Sequence, residues 1–199
     1  IVNDSTGQLS NYQLGDYLPP LEGTLIKSQN DPTVYVINQE LKRPLTYLTF
    51  LTRNYSFAEV KTVSDLEIIL FKTGDWYWPP DGALVLINDN PTVYVMDKSV
   101  RRPVTYFVFT QRKLSFTKVL RTTLDEFSHV PAPADNYWLA PLDGTLVKTE
   151  GSPSIYVIEN ASKRGLSYDA FVSRNYKFGN VKILPSAEMD VIAPGLPIL

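Results

Sequence analysis

Apolar and polar positions along this chain repeat as one long pattern, three times over. Starting at Gly23, Gly82 and Gly144, a stretch of 38 residues aligns across all three copies without a gap: GTLIKSQNDPTVYVINQELKRPLTYLTFLTRNYSFAEV, GALVLINDNPTVYVMDKSVRRPVTYFVFTQRKLSFTKV and GTLVKTEGSPSIYVIENASKRGLSYDAFVSRNYKFGNV. Eleven columns are identical in all three, where unrelated sequences would share about zero or one. The copies begin 59 and then 62 residues apart, and the extra length falls after the aligned block.

The pattern within one copy predicts its elements. Thr24 to Lys27 and Thr33 to Ile37 read as strands joined by a turn whose Asn30, Asp31 and Pro32 supply turn chemistry. A second turn at Asn38 to Glu40 leads to Lys42 to Leu45, where Pro44 cannot donate to a ladder and so belongs on an edge or a strand end. Thr46, Thr105 and Ser167 stand where helix N-caps should, since a hydroxyl accepts from the first turn's free amides. Two-turn helices follow. Tyr47, Phe50 and Leu51, like Tyr168, Phe171 and Val172, fall at i, i+3 and i+4 and predict one apolar stripe covering the hairpin. After each helix, Phe57, Phe116 and Phe178 precede a short strand near Val60, Val119 and Val181. Second helical pieces are expected after Ser64, in LDEF, and after Ser186. Tyr35, Tyr94 and Tyr156, with Phe50, Phe109 and Phe171, are expected to be mostly buried.

This predicts an α+β, β-rich fold: three tandem repeats of about 60 residues, each a small antiparallel meander with one or two short helices. The organisation is a lead-in segment over 1–22, repeats over 23–81, 82–143 and 144–190, and an apolar tail over 191–199. The links GDYLPPLEG, GDWYWPPDG and DNYWLAPLDG are rich in proline and aromatics, so neighbouring modules are expected to hold a set orientation. The end, PSAEMDVIAPGLPIL, resembles the start of another such link.

Composition narrows the function. The chain has 199 residues, 44% of them hydrophobic, with 19 Lys plus Arg against 21 Asp plus Glu. The resulting formal charge of -2 and the lack of a long basic run argue against a dedicated nucleic-acid binder. With no cysteine and one histidine, His129, neither zinc sites nor Ser-His-Asp or Cys-His catalysis has its residues. Asp125 and Glu126 are adjacent and would point apart on a helix, so a glycosidase pair is not supported. No phosphate-cradling glycine loop appears, and the turns at Asn88 to Asn90 and Gln29 to Pro32 lack the spaced acids of a calcium loop. No cofactor is expected. No run approaches the length of a membrane span. The absence of an initiating Met suggests a processed, exported chain. Sequons occur at Asn3, Asn54 and Asn160, about as many as chance gives.

The run GTLVK, then P-x-[VI]-YVI, then KR, an S-Y-x-x-F helix and a [NK]-[YL]-x-F-x-x-V tail resembles a tandem module of bacterial secreted and surface-layer-like proteins. The resemblance spans nearly the whole chain from residue 15. It lends no catalytic residues and implies an extracytoplasmic, non-enzymatic role, often beside cell-wall-directed domains.

Three sets of residues are candidates for contacts. The basic pairs Lys42-Arg43, Arg101-Arg102 and Lys163-Arg164, with Arg53, Arg112 and Arg174, recur in every copy. They offer either repeated cationic spots for an acidic polymer or braces within each module, and bracing is the favoured reading. Trp76, Tyr77, Trp78, Tyr137 and Trp138 concentrate in the links, where they either glue module to module or stack on sugar rings. Arg43, Arg102, Arg164, Trp76, Trp78, Tyr137 and Trp138 are therefore inter-module or ligand candidates. The tail residues Ile192, Leu196, Pro197, Ile198 and Leu199 are expected to cross onto another subunit. The leading expectation is a structural subunit of a cell-surface polymer, filament or surface layer, whose partners are copies of itself. The alternative is a cell-wall or polysaccharide-binding array.

Overall fold

A computed structural model of the chain describes residues 19–135 and 137–199. The expected lead-in segment lies mostly outside the described residues, as does Asn3. The fold is α+β and β-rich, with three small sheets and short helices.

Every copy builds the same sheet. In the first, β1 (Leu25–Ser28) pairs antiparallel with β2 (Tyr35–Asn38), which pairs antiparallel with β3 (Leu41–Pro44). β4 (Lys61–Val63) then lies parallel beside β1, giving the order β3-β2-β1-β4. The sheet is therefore mixed, not the pure meander expected. The connection after β3 returns the chain in the direction of β1, which only a parallel pair permits. The second copy repeats this order with β5 (Leu84–Ile87), β6 (Val93–Asp97), β7 (Val100–Pro103) and β8 (Val119–Thr122). The third does so with β9 (Leu146–Thr149), β10 (Tyr156–Glu159), β11 (Ser162–Gly165) and β12 (Lys182–Leu184), and adds β13 (Ala193–Pro194) beyond β11.

The turn between the second and third strands explains two recurrent features of the sequence. Gln39 and Glu40, Lys98 and Ser99, and Asn160 and Ala161 all have φ between 51 and 64°. Consecutive left-handed residues make the hairpin turn whose twist matches that of the strands. None of the six is glycine, so each turn is strained and each is braced from outside. The amides of Glu40, Ser99 and Asn160 donate to carboxylates of Glu22, Asp81 and Asp143 at 2.9, 2.8 and 3.0 Å. Those acids immediately precede Gly23, Gly82 and Gly144, whose own φ of 78 to 86° suits glycine.

The capping expectation holds. α1 (Tyr47–Thr52), α3 (Tyr106–Gln111) and α5 (Tyr168–Ser173) begin after Thr46, Thr105 and Ser167, whose hydroxyls accept from the amides of Thr49, Val108 and Ala170. The second helices are α2 (Asp65–Ile68), α4 (Leu124–Ser128) and α6 (Ser186–Asp190). α6 is preceded by Pro185 at the cap position, so Ser186 lies inside it.

By contacts the described chain divides into two compact units, one running to Leu45 and including Tyr55–Tyr77, the other Thr46–Asn54 with Trp78–Leu199. In the first unit, Ile26, Ile37, Ile68 and Phe71 form a core beneath α2. In the second, each sheet is covered on both faces. One face of the second copy, Leu84 and Val95, meets Val108 and Phe109 of α3. The opposite face, Val85, Ile87 and Met96, meets Phe127 and Val130. The third copy matches, with Leu146 and Val157 against Phe171, and Val147 and Ile158 against Met189 and Ile192. Phe50, Phe109 and Phe171 are buried, whereas Tyr35, Tyr94 and Tyr156 are only half-buried.

The predicted helix stripe is wrong in detail. Tyr47 is 58% exposed, and Tyr106 and Tyr168 are each 71% exposed, while Leu48, Thr49 and Phe50 are buried. On α1 the buried residues are the consecutive Leu48, Thr49 and Phe50, with Leu48 packed in the second copy's core, so burial follows that contact and not an i, i+3, i+4 stripe.

Candidate functional site

No group of three or more His, Cys, Asp and Glu among the described residues could hold a metal ion. No described helix is long and apolar enough to cross a membrane. The organised geometry lies at the seams between modules.

The helix that follows the first copy's sheet belongs to the second unit. Leu48 of α1 inserts among Val85, Ile87, Met96, Phe127 and Val130 of the second copy. Glu126 of α4 closes the seam: its Oε1 accepts from the amides of Tyr47 at 2.7 Å and Leu48 at 3.3 Å. Its Oε2 accepts from the Thr122 hydroxyl at 2.7 Å. A carboxylate at a helix start satisfies amides that have no intrahelical partner.

The next seam uses the same column differently. Phe107, one position after Tyr106 as Leu48 is after Tyr47, packs against the cores of both the second and third copies. Gln111 donates to the Thr145 hydroxyl at 2.8 Å and accepts from the Leu142 amide at 2.9 Å. Glu188 stands where Glu126 stands one copy earlier, and its Oε2 is buried without a hydrogen-bond partner among the described residues. Leu184 replaces Thr122 there and has no hydroxyl to offer. In the third copy the column of Leu48 and Phe107 holds Asp169, which is exposed.

Sequence reasoning missed Glu67, Glu126 and Glu188 as a set. Their recurrence 59 and 121 positions after Glu67 was the signal available.

The recurrent cations brace the fold. Lys42 Nζ donates to the Ile68 carbonyl and Lys163 Nζ to that of Met189, each at 2.6 Å, and Arg101 Nη1 donates to that of Phe127. These are carbonyls at the ends of the second helices, where a cation complements the helix dipole. Burial pushes Lys42 and Arg101 below their ordinary values. The second member of each pair reaches the outgoing link: Arg43 to the carbonyl of Asp75, Arg102 to that of Tyr137, and Arg164 to that of Leu196. Arg53 and Arg112 donate to the carbonyls of Trp78 and Ala140 further along those links, at 3.0 and 2.9 Å. Arg174 instead pairs with Glu159, which also pairs with Arg164. Arg174, and after it Arg164, holds Glu159 below the usual carboxylate range.

Each link runs back along the third strand of the module it leaves. Tyr77, Leu139 and Ile198 donate to the carbonyls of Pro44, Pro103 and Gly165 at 2.9, 2.9 and 2.8 Å. Gly74 and Gly195 occupy one column of this path, and a Cβ on either would come within 2.9 or 2.8 Å of a neighbouring side chain.

The tail is such a link. Ala193 and Pro194 pair parallel with Ser162 and Lys163, and Ile198 bridges Leu166. Ile192 lies in the third copy's core and Ile198 packs on it. The expected crossing of Ile192, Leu196, Pro197, Ile198 and Leu199 onto another subunit is thus replaced, for Ile192 and Ile198, by seats in their own module. The edge of β11 offers unpaired backbone groups beside the tail itself. Leu196 and Leu199 remain 82% and 95% exposed.

Of the link aromatics, Trp78 packs on the second copy's core and Trp76 is half-buried. Tyr137 and Trp138 line a groove of about 590 Å³ whose wall includes Arg102, Asp135 and Asn160. Arg102 grips Asp135 through two nitrogens at 2.9 and 3.1 Å. The Arg102 hydrogen bond, with one from the Tyr137 amide, lowers the Asp135 pKa. Trp138 also lines an apolar groove of about 500 Å³ with Tyr106, Phe109, Phe116 and Glu188.

No family model and no curated protein matches the chain. Among solved structures, the periplasmic assembly from the ESX-5 inner membrane complex is similar at 8% identity and a TM-score of 0.24, over 88% of this chain and 66% of that one. An intact ESX-5 inner membrane complex is similar at 11% identity and a TM-score of 0.25, over 94% and 53%. The chain thus spans about two thirds and about half of those chains. Likeness this low carries no conclusion about fold or function.

Proposed function

We propose that the chain is a non-enzymatic structural array, a subunit of an extracellular or cell-surface assembly whose partners are copies of itself. The observation that carries this reading is the seam: a helix following one module's sheet supplies Leu48 to the next module's core and is capped there by Glu126. A chain that spends its recurrent residues on joining modules is organised for mechanical continuity rather than for chemistry at one asymmetric point. The resemblance to modules of secreted and surface-layer-like proteins points to the same compartment.

Contacts between copies then draw on apolar side chains exposed on the third module. Leu199 is 95% exposed, whereas Ala140 in its column is buried. Leu196 and Val172 are exposed beside it in sequence or on α5. Asp169 in the Leu48 column means that such a contact does not reproduce the internal seam.

The test replaces Leu196 and Leu199 with Asp while keeping Ile192 and Ile198. Sedimentation velocity over a concentration series should show the unaltered chain forming large species and the double variant remaining a folded monomer. A variant that assembles as before removes the tail from the contact, and an unaltered chain that stays monomeric throughout overturns the reading.

A further inference from the structure

The second link departs from the first by three extra residues, and that departure builds something. The inserted stretch brings Asp135 onto Arg102, whereas the equivalent Arg43 meets, among the described residues, the Asp75 carbonyl at 3.5 Å, the Asn38 carbonyl and Gln39. Arg102 also donates to the Tyr137 carbonyl at 2.9 Å and lies 3.5 Å from Asp97. The Tyr137 amide donates to Asp135 at 3.0 Å. The Tyr137 backbone is thereby held at the wall of a groove that Tyr137 and Trp138 line together with residues of the second and third copies, its volume of about 590 Å³ within the roughly 300–1,000 Å³ of small-molecule sites.

Charge decides what fits. The lining carries three carboxylates, Asp97, Asp135 and Asp143, against three cations, Lys98, Arg102 and Arg112. The sum is zero, so neither an anionic nor a cationic polymer gains from the groove as a whole. Both Asp143 oxygens already accept amides, from Asn160 and Ala161. Aromatic rings beside planar polar groups that are held by one another suit a ligand with apolar ring faces and hydroxyls around its rim. Groups fixed before binding also lose little freedom on binding.

We propose that this groove binds a neutral saccharide of one or two rings, with Tyr137 or Trp138 against a sugar face and the Arg102-Asp135 pair and Asn160 bonding hydroxyls. This stands apart from the assembly reading and can fail while that reading holds.

The experiment titrates the full chain with cellobiose, maltose and N,N′-diacetylchitobiose, following the Trp138 indole N–H by NMR. Polygalacturonate and chitosan oligomers serve as charged counterparts. At least one neutral sugar should give a saturable shift, with affinity on the order of millimolar. Tyr137→Ala and Asp135→Asn should each weaken it at least tenfold while keeping the dispersed spectrum of the folded chain. No saturable shift with any neutral sugar overturns the proposal. So does equal or stronger binding of either charged polymer, or unchanged binding in both folded variants.

Discussion

Replacing Leu48 with Ala tests whether one repeat's helix is part of the next repeat's core. Leu48 is 2% exposed and sits among Val85, Ile87, Met96, Phe127 and Val130. Buried Leu→Ala changes cost about 2–5 kcal/mol, depending on how far the site collapses. α1 is only six residues long and can shift inward, so about 2–4 kcal/mol is expected here. The assay is native-state hydrogen exchange of β5 and β6 amides, with Tyr47→Ala as the control on the same helix. At about 1.4 kcal/mol per tenfold change, the globally exchanging amides of β5 and β6 should lose at least roughly thirtyfold of protection. Tyr47→Ala, at a 58% exposed position, should stay within about 0.5 kcal/mol. Unchanged protection in the second copy's strands, or an equal loss from both variants, would refute the donated-helix seam.

Other consequences follow from the same geometry. Glu126→Ala should cost about 1–3 kcal/mol, because it uncaps the Tyr47 and Leu48 amides and orphans the buried Thr122 hydroxyl. Glu126→Gln, which keeps an acceptor, should recover much of this in urea melts, and equal losses would contradict the capping role. Ala161→Gly should raise the urea midpoint by about 0.5–1 kcal/mol of stability, since Ala161 holds a φ of 58°; a lower midpoint would show that Asp143 already offsets the strain. Glu159 has its folded pKa depressed by Arg174 and Arg164, so the stability it contributes is present above its unfolded pKa and is lost as pH falls through the lower folded value. Wild type and Glu159→Gln should therefore converge in acid and separate as pH rises toward neutral, and parallel curves would exclude the linkage.

What was legible in the sequence is what a single repeat dictates to itself. Thr46, Thr105 and Ser167 cap because a hydroxyl before an apolar run has few other uses, and Pro44 ends its strand for want of an amide. The parallel return of β4, β8 and β12 was not legible, since strand pattern alone carries no direction. The exposure of Tyr47 and burial of Leu48 depend on a neighbour about 40 residues or more downstream, beyond the reach of any local period. The favoured bracing role of the arginines matches their contacts, yet the division of labour, with Lys42 on a helix end and Arg43 on a link, needed the geometry. For the tail, likeness to a link was readable. Its seat beside β11 follows once the other links are seen running along β3 and β7.

If the chain assembles with copies of itself, as proposed, the assemblies should be directly visible. Negative-stain electron microscopy of the purified full chain, over a wide range of concentrations, tests this most directly. Ordered fibres or sheets that grow with concentration are the predicted result. Uniform single particles at every concentration would contradict it.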